Sequence, residues 1–162
     1  MKYLITLFVS IFLISCTTQN SSKYTQIQYE AGACFGFCPI FKMTINPDRT
    51  AVIEAEHFTF SNERSKDVFS QPKEGTFTAT IKQSDFDKMI ALLEDADLKS
   101  LKNEYKNRNV SDLPTAYLRI KFADGTSKNI EDYGKNGTPK LKLIYNFMED
   151  LRMNQTWEKI NK

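Results

Sequence analysis

The order of patterned segments constrains this chain more than any one motif: a hairpin followed by an amphipathic helix occurs over residues 40–95 and again over 115–153. In the first unit, Ile40 to Ile45 sets Phe41, Met43 and Ile45 on one side of a strand, since strand side chains alternate. Asn46-Pro47-Asp48-Arg49 is a turn by composition, because proline pre-sets φ and Asn and Asp bond to nearby backbone. Thr50 to Phe60 returns as a second strand whose imperfect alternation implies a bulge or bend, and the polar stretch 61–75 reads as a loop. Thr76 to Ile81 follows as a strand with Phe77, Ala79 and Ile81 inward. Ser84 is expected to cap a helix, with Asp87 three residues on, and Phe86, Met89, Ile90 and Leu93 fall on one face at helical spacing. Asp97-Leu98 to Leu101 reads as one more short helical turn.

In the second unit, after a loop ending at Pro114, Leu118, Ile120 and Phe122 alternate up to Asp124-Gly125. That dipeptide predicts a two-residue type I′ turn with φ > 0 at both positions. The more polar return arm, Thr126 to Tyr133, suits an edge strand. Thr138 caps the last helix with Pro139 at its first position, and Leu141, Ile144, Tyr145, Met148 and Leu151 line its buried face. A short strand, Gln26 to Glu30, precedes both units. Strands and helices that are each apolar on one side bury one another as two layers. The expected fold is therefore α+β, an antiparallel sheet of about five strands with two main helices on one face. A doubly wound parallel sheet is disfavoured, because strands do not alternate singly with helices.

The first sixteen residues, MKYLITLFVSIFLISC, have the positive start (Lys2) and short apolar run of a secretory signal. That run is too short for a transmembrane helix, which takes about 20 apolar residues. Its end, Leu13-Ile14-Ser15-Cys16, resembles a bacterial lipobox, a resemblance that implies cleavage before Cys16 and acylation of that residue. Several acyl chains anchor firmly where one holds only marginally. The expected organisation is a lipoprotein signal peptide over 1–15, a flexible tether over 16–25 and a single α+β domain over 26–162. The membrane is then a partner through the lipid, and an envelope protein is a second candidate. Thr17 stands where related Gram-negative lipoproteins retained at the inner membrane carry aspartate, so the expected location is the outer membrane, facing the periplasm.

The formal net charge is only +2, with both signs scattered along the chain. That describes a solvated surface and no nucleic-acid footprint. Nucleophilic triads need a histidine base, and the sole histidine, His57, falls in a strand beside Glu54 and Glu56. Gly134-Lys135-Asn136-Gly137 lacks the strand-to-helix setting of a phosphate loop. No haem motif, zinc quartet or distinctive carboxylate pair appears. The expectation is a non-enzymatic domain with no catalytic residue and no cofactor.

With Cys16 assigned to lipid, Cys34 and Cys38 remain as a pair in an oxidising compartment, where a disulfide is the default. A disulfide needs Cα atoms about 6 Å apart, whereas an extended chain would hold these more than about 12 Å apart. The chain must coil back, and Gly36 makes such a turn cheap. Closing so small a loop adds about 2 kcal/mol on the loop-entropy model. Two other chemistries stay open for the pair. Cys34-x-x-x-Cys38-Pro39 resembles the motif of thioredoxin-fold copper-delivery proteins, which implies a Cu(I) site of Cys34, Cys38 and His57. A catalytic dithiol is the other.

A broader resemblance covers most of the chain after the signal. Cys34-Phe35-Gly36-x-Cys38-Pro39-x-Phe41, with Ile45 and Asp48 after it, is similar to the start of an uncharacterised bacterial lipoprotein family, domain of unknown function 6438. Gly75-x-Phe77, Asp112-x-Pro114-Thr115, Gly125, Pro139 and Trp157 continue the likeness. Phe41 and Ser111 stand where that family usually has tyrosine and threonine. The resemblance implies a small envelope domain with no assigned activity. The expected function is a lipid-anchored binding or structural domain of the envelope. The alternatives are a thiol-redox or copper-handling lipoprotein, and an inhibitor-like protein-binding module.

Overall fold

A strand at the centre of a sheet must satisfy neighbours on both sides, and Tyr24–Ala31 (β1) is that strand here. The computed structural model describes residues 22–56, 58–61, 74–106 and 110–160. Along β1, Ile27, Tyr29 and Ala31 are buried while Gln26, Gln28 and Glu30 are partly exposed. This alternation turns one face to the core and the other to water. The remaining elements are β2 (Phe41–Ile45), β3 (Thr50–Ala55), β4 (Gly75–Thr80), α1 (Gln83–Asp95), β5 (Glu104–Tyr105), β6 (Thr115–Phe122), β7 (Ser127–Tyr133), α2 (Pro139–Asn154) and β8 (Glu158–Lys159). They form one sheet of eight strands in the order β5-β7-β6-β1-β2-β3-β4-β8.

The α+β class stands, but the expectation of an antiparallel sheet of about five strands is overturned. Among the described residues there are eight strands, and β5 pairs parallel with β7 while the other pairs are antiparallel. Two physical causes account for the difference. β5 and β8 are two residues long, too short to carry any alternation. The parallel pair follows from direction: β6 reverses the chain after β5 and β7 reverses it again, so β5 and β7 run the same way. β1 also begins at Tyr24, inside the stretch read as tether.

Both long hairpins use one turn, and it is not type I′. At the first, Arg49 N–H donates to Asn46 O (3.0 Å) and Asn46 N–H to Thr50 O (2.9 Å), with Arg49 at φ 69°. At the second, Gly125 N–H donates to Phe122 O (3.1 Å) and Phe122 N–H to Thr126 O (2.9 Å), with Gly125 at φ 81°. Each is a three-residue loop ending in a left-handed residue; Asp124 is not at positive φ. The side chains repeat as well. Asp48 Oδ1 accepts from Thr50 N–H (2.9 Å) and Oγ1 (2.6 Å), and Asp124 Oδ1 from Thr126 N–H (2.9 Å) and Oγ1 (2.5 Å). These bonds hold both exposed carboxyls below their usual range, with the Lys99 ammonium the largest influence on Asp124 and the Thr50 hydroxyl the largest on Asp48.

The inner face of the sheet packs with both helices in one core. Phe41, Met43, Ile53, Leu118 and Ile120 from strands join Met89 and Leu93 of α1 and Leu141, Met148 and Leu151 of α2. Truncating one of these to alanine costs about 2–5 kcal/mol, depending on how far the cavity collapses. Thr138 caps α2 as its sequence predicts, accepting Leu141 N–H at 3.1 Å. Ser84 does not cap α1: that helix starts at Gln83, with Lys82 at the cap position and no side-chain cap bond. Its start is fixed instead by the residue just after α2: Gln155 Oε1 accepts Lys82 N–H (3.0 Å) and Gln155 Nε2 donates to Asp85 (2.6 Å).

Candidate functional site

Strand register collects the irregular segments at one end of the sheet. Ala31 faces Phe41 and Ala116, Phe41 faces Ala55, Ala55 faces Gly75, and Thr115 faces Tyr133. The Cys34–Cys38 loop, the 58–61 turn and the approach to β6 therefore share this end. The two hairpin turns and the first residues of β1 lie at the other.

Cys34 and Cys38 stand at disulfide distance, their Cα atoms 5.8 Å apart. Gly36, at φ 130°, provides the reversal this spacing requires. The loop is braced at its base, because Gly32 N–H donates to Thr115 O (2.8 Å) and Phe35 N–H to Asp112 O (3.2 Å). Its two phenylalanines then diverge. Phe37 is half-buried and meets Phe58 edge-on at 5.5 Å, whereas Phe35 is 88% exposed. Val110, on the neighbouring loop, is 46% exposed. Solvating a phenylalanine forgoes about 1.5–3 kcal/mol of transfer free energy that burial would return.

The other residues singled out in the sequence are not assembled with the pair. Cys16 and His57 lie outside the described residues. Among the described residues, no group of three or more His, Cys, Asp or Glu side chains is arranged to hold a metal ion. No described helix is long and apolar enough to cross a membrane. The Gly134–Gly137 stretch has a different employment. Asn136 N–H (3.2 Å) and Gly137 N–H (2.8 Å) both donate to the buried Asp132 carboxylate, so donors that would cradle a phosphate are already engaged.

Sequence reasoning missed a polar network inside the core. Tyr29 OH donates to Glu149 (2.8 Å), which also pairs with Lys135, and the Tyr29 ring stacks on Tyr145 at 5.8 Å. Burial, reinforced by Glu149, pushes the Tyr29 phenol well up; burial and then Asp132 do the same to Tyr145. Phenols held neutral in this way are hydrogen-bond donors at neutral pH and poor nucleophiles. Arg152 is buried too, with Nη1 donating to the carbonyls of Thr59 and Ser61. The pattern carried a signal for two of these residues. Arg152 continues the Leu141–Tyr145–Met148 stripe of α2, and Asp132 takes the inward register after Ile130 on β7. A charged residue in a core register needs partners: Asp132 has two backbone donors, whereas Arg152 has carbonyl acceptors at Nη1 and none at Nε.

The fold and this end of it define a class: an α+β sheet domain with one solvated face, displaying an aromatic on a loop drawn together by a cysteine pair. The chain belongs to a family described as a domain of unknown function, DUF6438, whose sequence profile matches residues 25–152. That match ends before Trp157. No curated protein matches the chain.

Proposed function

We propose that this chain is a lipid-anchored domain of the bacterial cell envelope, held at the outer membrane through Cys16 and facing the periplasm. It binds a protein partner and does no chemistry of its own. The observation that carries this reading is Phe35, 88% exposed on a loop closed by Cys34 and Cys38. An aromatic on a pre-shaped loop loses little conformational entropy on binding, and aromatic anchors dominate interface energies. In this reading the Cys34–Cys38 disulfide is structural and keeps Phe35 presented.

The placement of the anchor supports the same reading. From Cys16 to Tyr24 the chain reaches less than about 30 Å even when fully extended, so the start of β1 stays near the bilayer. Phe35 follows the far end of β1, an eight-residue strand spanning about 25 Å. The loop therefore lies at the end of the sheet opposite the tether and is able to face away from the lipid.

The test is capture from solubilised envelope, comparing wild type with Phe35→Ser on beads, with free thiols counted on the same preparation. Wild type should retain a protein that Phe35→Ser loses, and no free thiol should be found at Cys34 or Cys38. Equal capture by both forms would remove Phe35 from the interface. Two free thiols that take up Cu(I), with uptake lost in His57→Ala, would replace this reading with the copper-handling one.

A further inference from the structure

Two clefts meet at Arg152. One, of about 290 Å³, is lined by Phe60, Phe77, Arg152, Met153, Gln155 and Trp157. The other, of about 380 Å³, is lined by Asn146, Glu149, Asp150, Arg152 and Met153. Phe60 and Phe77 meet edge-on at 4.9 Å, giving the first cleft an aromatic wall.

Its polar groups are nearly all engaged. Gln155 is held by Lys82 N–H, Asp85 and Asn154, and Trp157 Nε1–H donates to Leu151 O at 3.4 Å. Arg152 is the exception. It is only 9% exposed, and its buried Nε–H has no acceptor. Its Nη1 reaches only neutral carbonyls. No described carboxylate forms an ion pair with it: Glu149 is taken by Lys135 and Tyr29, and Asp150 points to solvent at the second cleft. An unpaired donor on a buried cation is costly, and a carboxylate is the acceptor that a guanidinium edge fits best.

We propose that the Phe60–Phe77–Trp157 cleft binds a small organic acid with an aromatic or branched apolar body, its carboxylate received on the Nε edge of Arg152. Charge selects the side, since Glu149 and Asp150 line the second cleft and repel an anion there. Volume selects the class: about 290 Å³ lies at the lower limit of small-molecule sites and suits a one-ring acid, not a long acyl chain. Nε is shielded from solvent, so a side chain must move to admit the ligand. Met153, 39% exposed and lining both clefts, is unbranched and able to do so.

Trp157 is the sole tryptophan, so its emission reports on this cleft alone. Titrating the purified protein with phenylacetate should give a saturable change, and phenylacetamide should bind at least about tenfold more weakly. Arg152 also holds the 58–61 turn, so its removal confounds binding with folding, and Met153 carries the mutational arm. Met153→Glu places a second anion at the mouth and should weaken phenylacetate binding about tenfold with the melting temperature unchanged, while the neutral, equally unbranched Met153→Gln should weaken it less. No saturable change, equal response to acid and amide, or undiminished binding by Met153→Glu would each overturn the proposal. None of these outcomes depends on Phe35, so the two readings fail separately.

Discussion

Gly137→Ala is the sharpest test of how the second unit is held. A Cβ at this position would lie 2.5 Å from Tyr105 Cγ, 2.8 Å from Tyr105 Cδ1 and 2.7 Å from Asp132 Oδ2. None of these atoms gives way cheaply. Tyr105 is fixed by β5–β7 pairing (Tyr105↔Asp132) and by its hydroxyl, which accepts Lys102 N–H at 3.2 Å. Asp132 is held by Asn136 N–H and Gly137 N–H, and moving it strips a buried carboxylate of donors. Overpacking of this kind costs about 1–3 kcal/mol, and weakening a hydrogen bond to a buried charge about 1.5–3 more. The expected loss is about 2.5–6 kcal/mol, or a melting temperature about 8–20 °C lower for a domain of this size. Urea denaturation followed by far-UV circular dichroism measures it, with an unchanged m value confirming that stability alone has moved. Gly125→Ala is the control, because its Cβ meets nothing within 4 Å and only the strain of φ 81° remains, about 1–2 kcal/mol. If Gly137→Ala costs no more than Gly125→Ala, the Asp132 nest and the β5 closure have been misread.

Thr138→Ala removes the oxygen that accepts Leu141 N–H and should lower unfolding free energy by about 1 kcal/mol in the same urea assay. Burial, with Glu94 second, raises the Tyr24 phenol to about 12. The unfolded chain loses that proton near pH 10 while the native state keeps it, so this contribution is complete below pH 10 and lost as pH rises toward 12. Tyr24→Phe should therefore flatten the alkaline fall in a pH series of thermal melts; an identical slope in both proteins would place the titration elsewhere.

What was legible in the sequence followed physical signal strength. α2 was read through its cap, its Pro139 and most of its buried stripe, because helical periodicity over sixteen residues is hard to mistake. The β2–β3 and β6–β7 hairpins are legible as well, but the Asp124-Gly125 dipeptide points to the wrong turn type. Asp-Gly suggests φ > 0 twice, whereas the informative unit was Asp-x-Thr, present as Asp48-Arg49-Thr50 and Asp124-Gly125-Thr126. Both turns carry it, so one device closes both hairpins. The start of α1 was misread because Ser84 supplies a cap-like hydroxyl, while the group that fixes it, Gln155, is distant in sequence and visible only in three dimensions. The polar core was missed for a related reason: Glu149 and Lys135 read as surface charges until Tyr29 is placed beside them.

The short edge strands explain how the two units make one domain. α1 follows the strands on one side of β1, yet β5 after it pairs with β7 on the other side. α2 follows β7, yet β8 after it crosses back to pair with β4 through Phe77↔Lys159 and Thr78↔Glu158. Each unit thus closes the other's sheet edge, and the helix ends are joined as well, with Gln155 fixing the start of α1 and Lys140 paired with Asp95 at its end. Two-residue edge strands offer little template for further pairing, which natural sheets limit because an open edge invites aggregation. With each outer strand interrupted by a two-residue partner, only short stretches of β4 and β7 are left for an added strand, a poor route to a complex. The loop end carrying Phe35 is then the better-suited surface, which is why the binding proposal rests on a loop and not on the sheet.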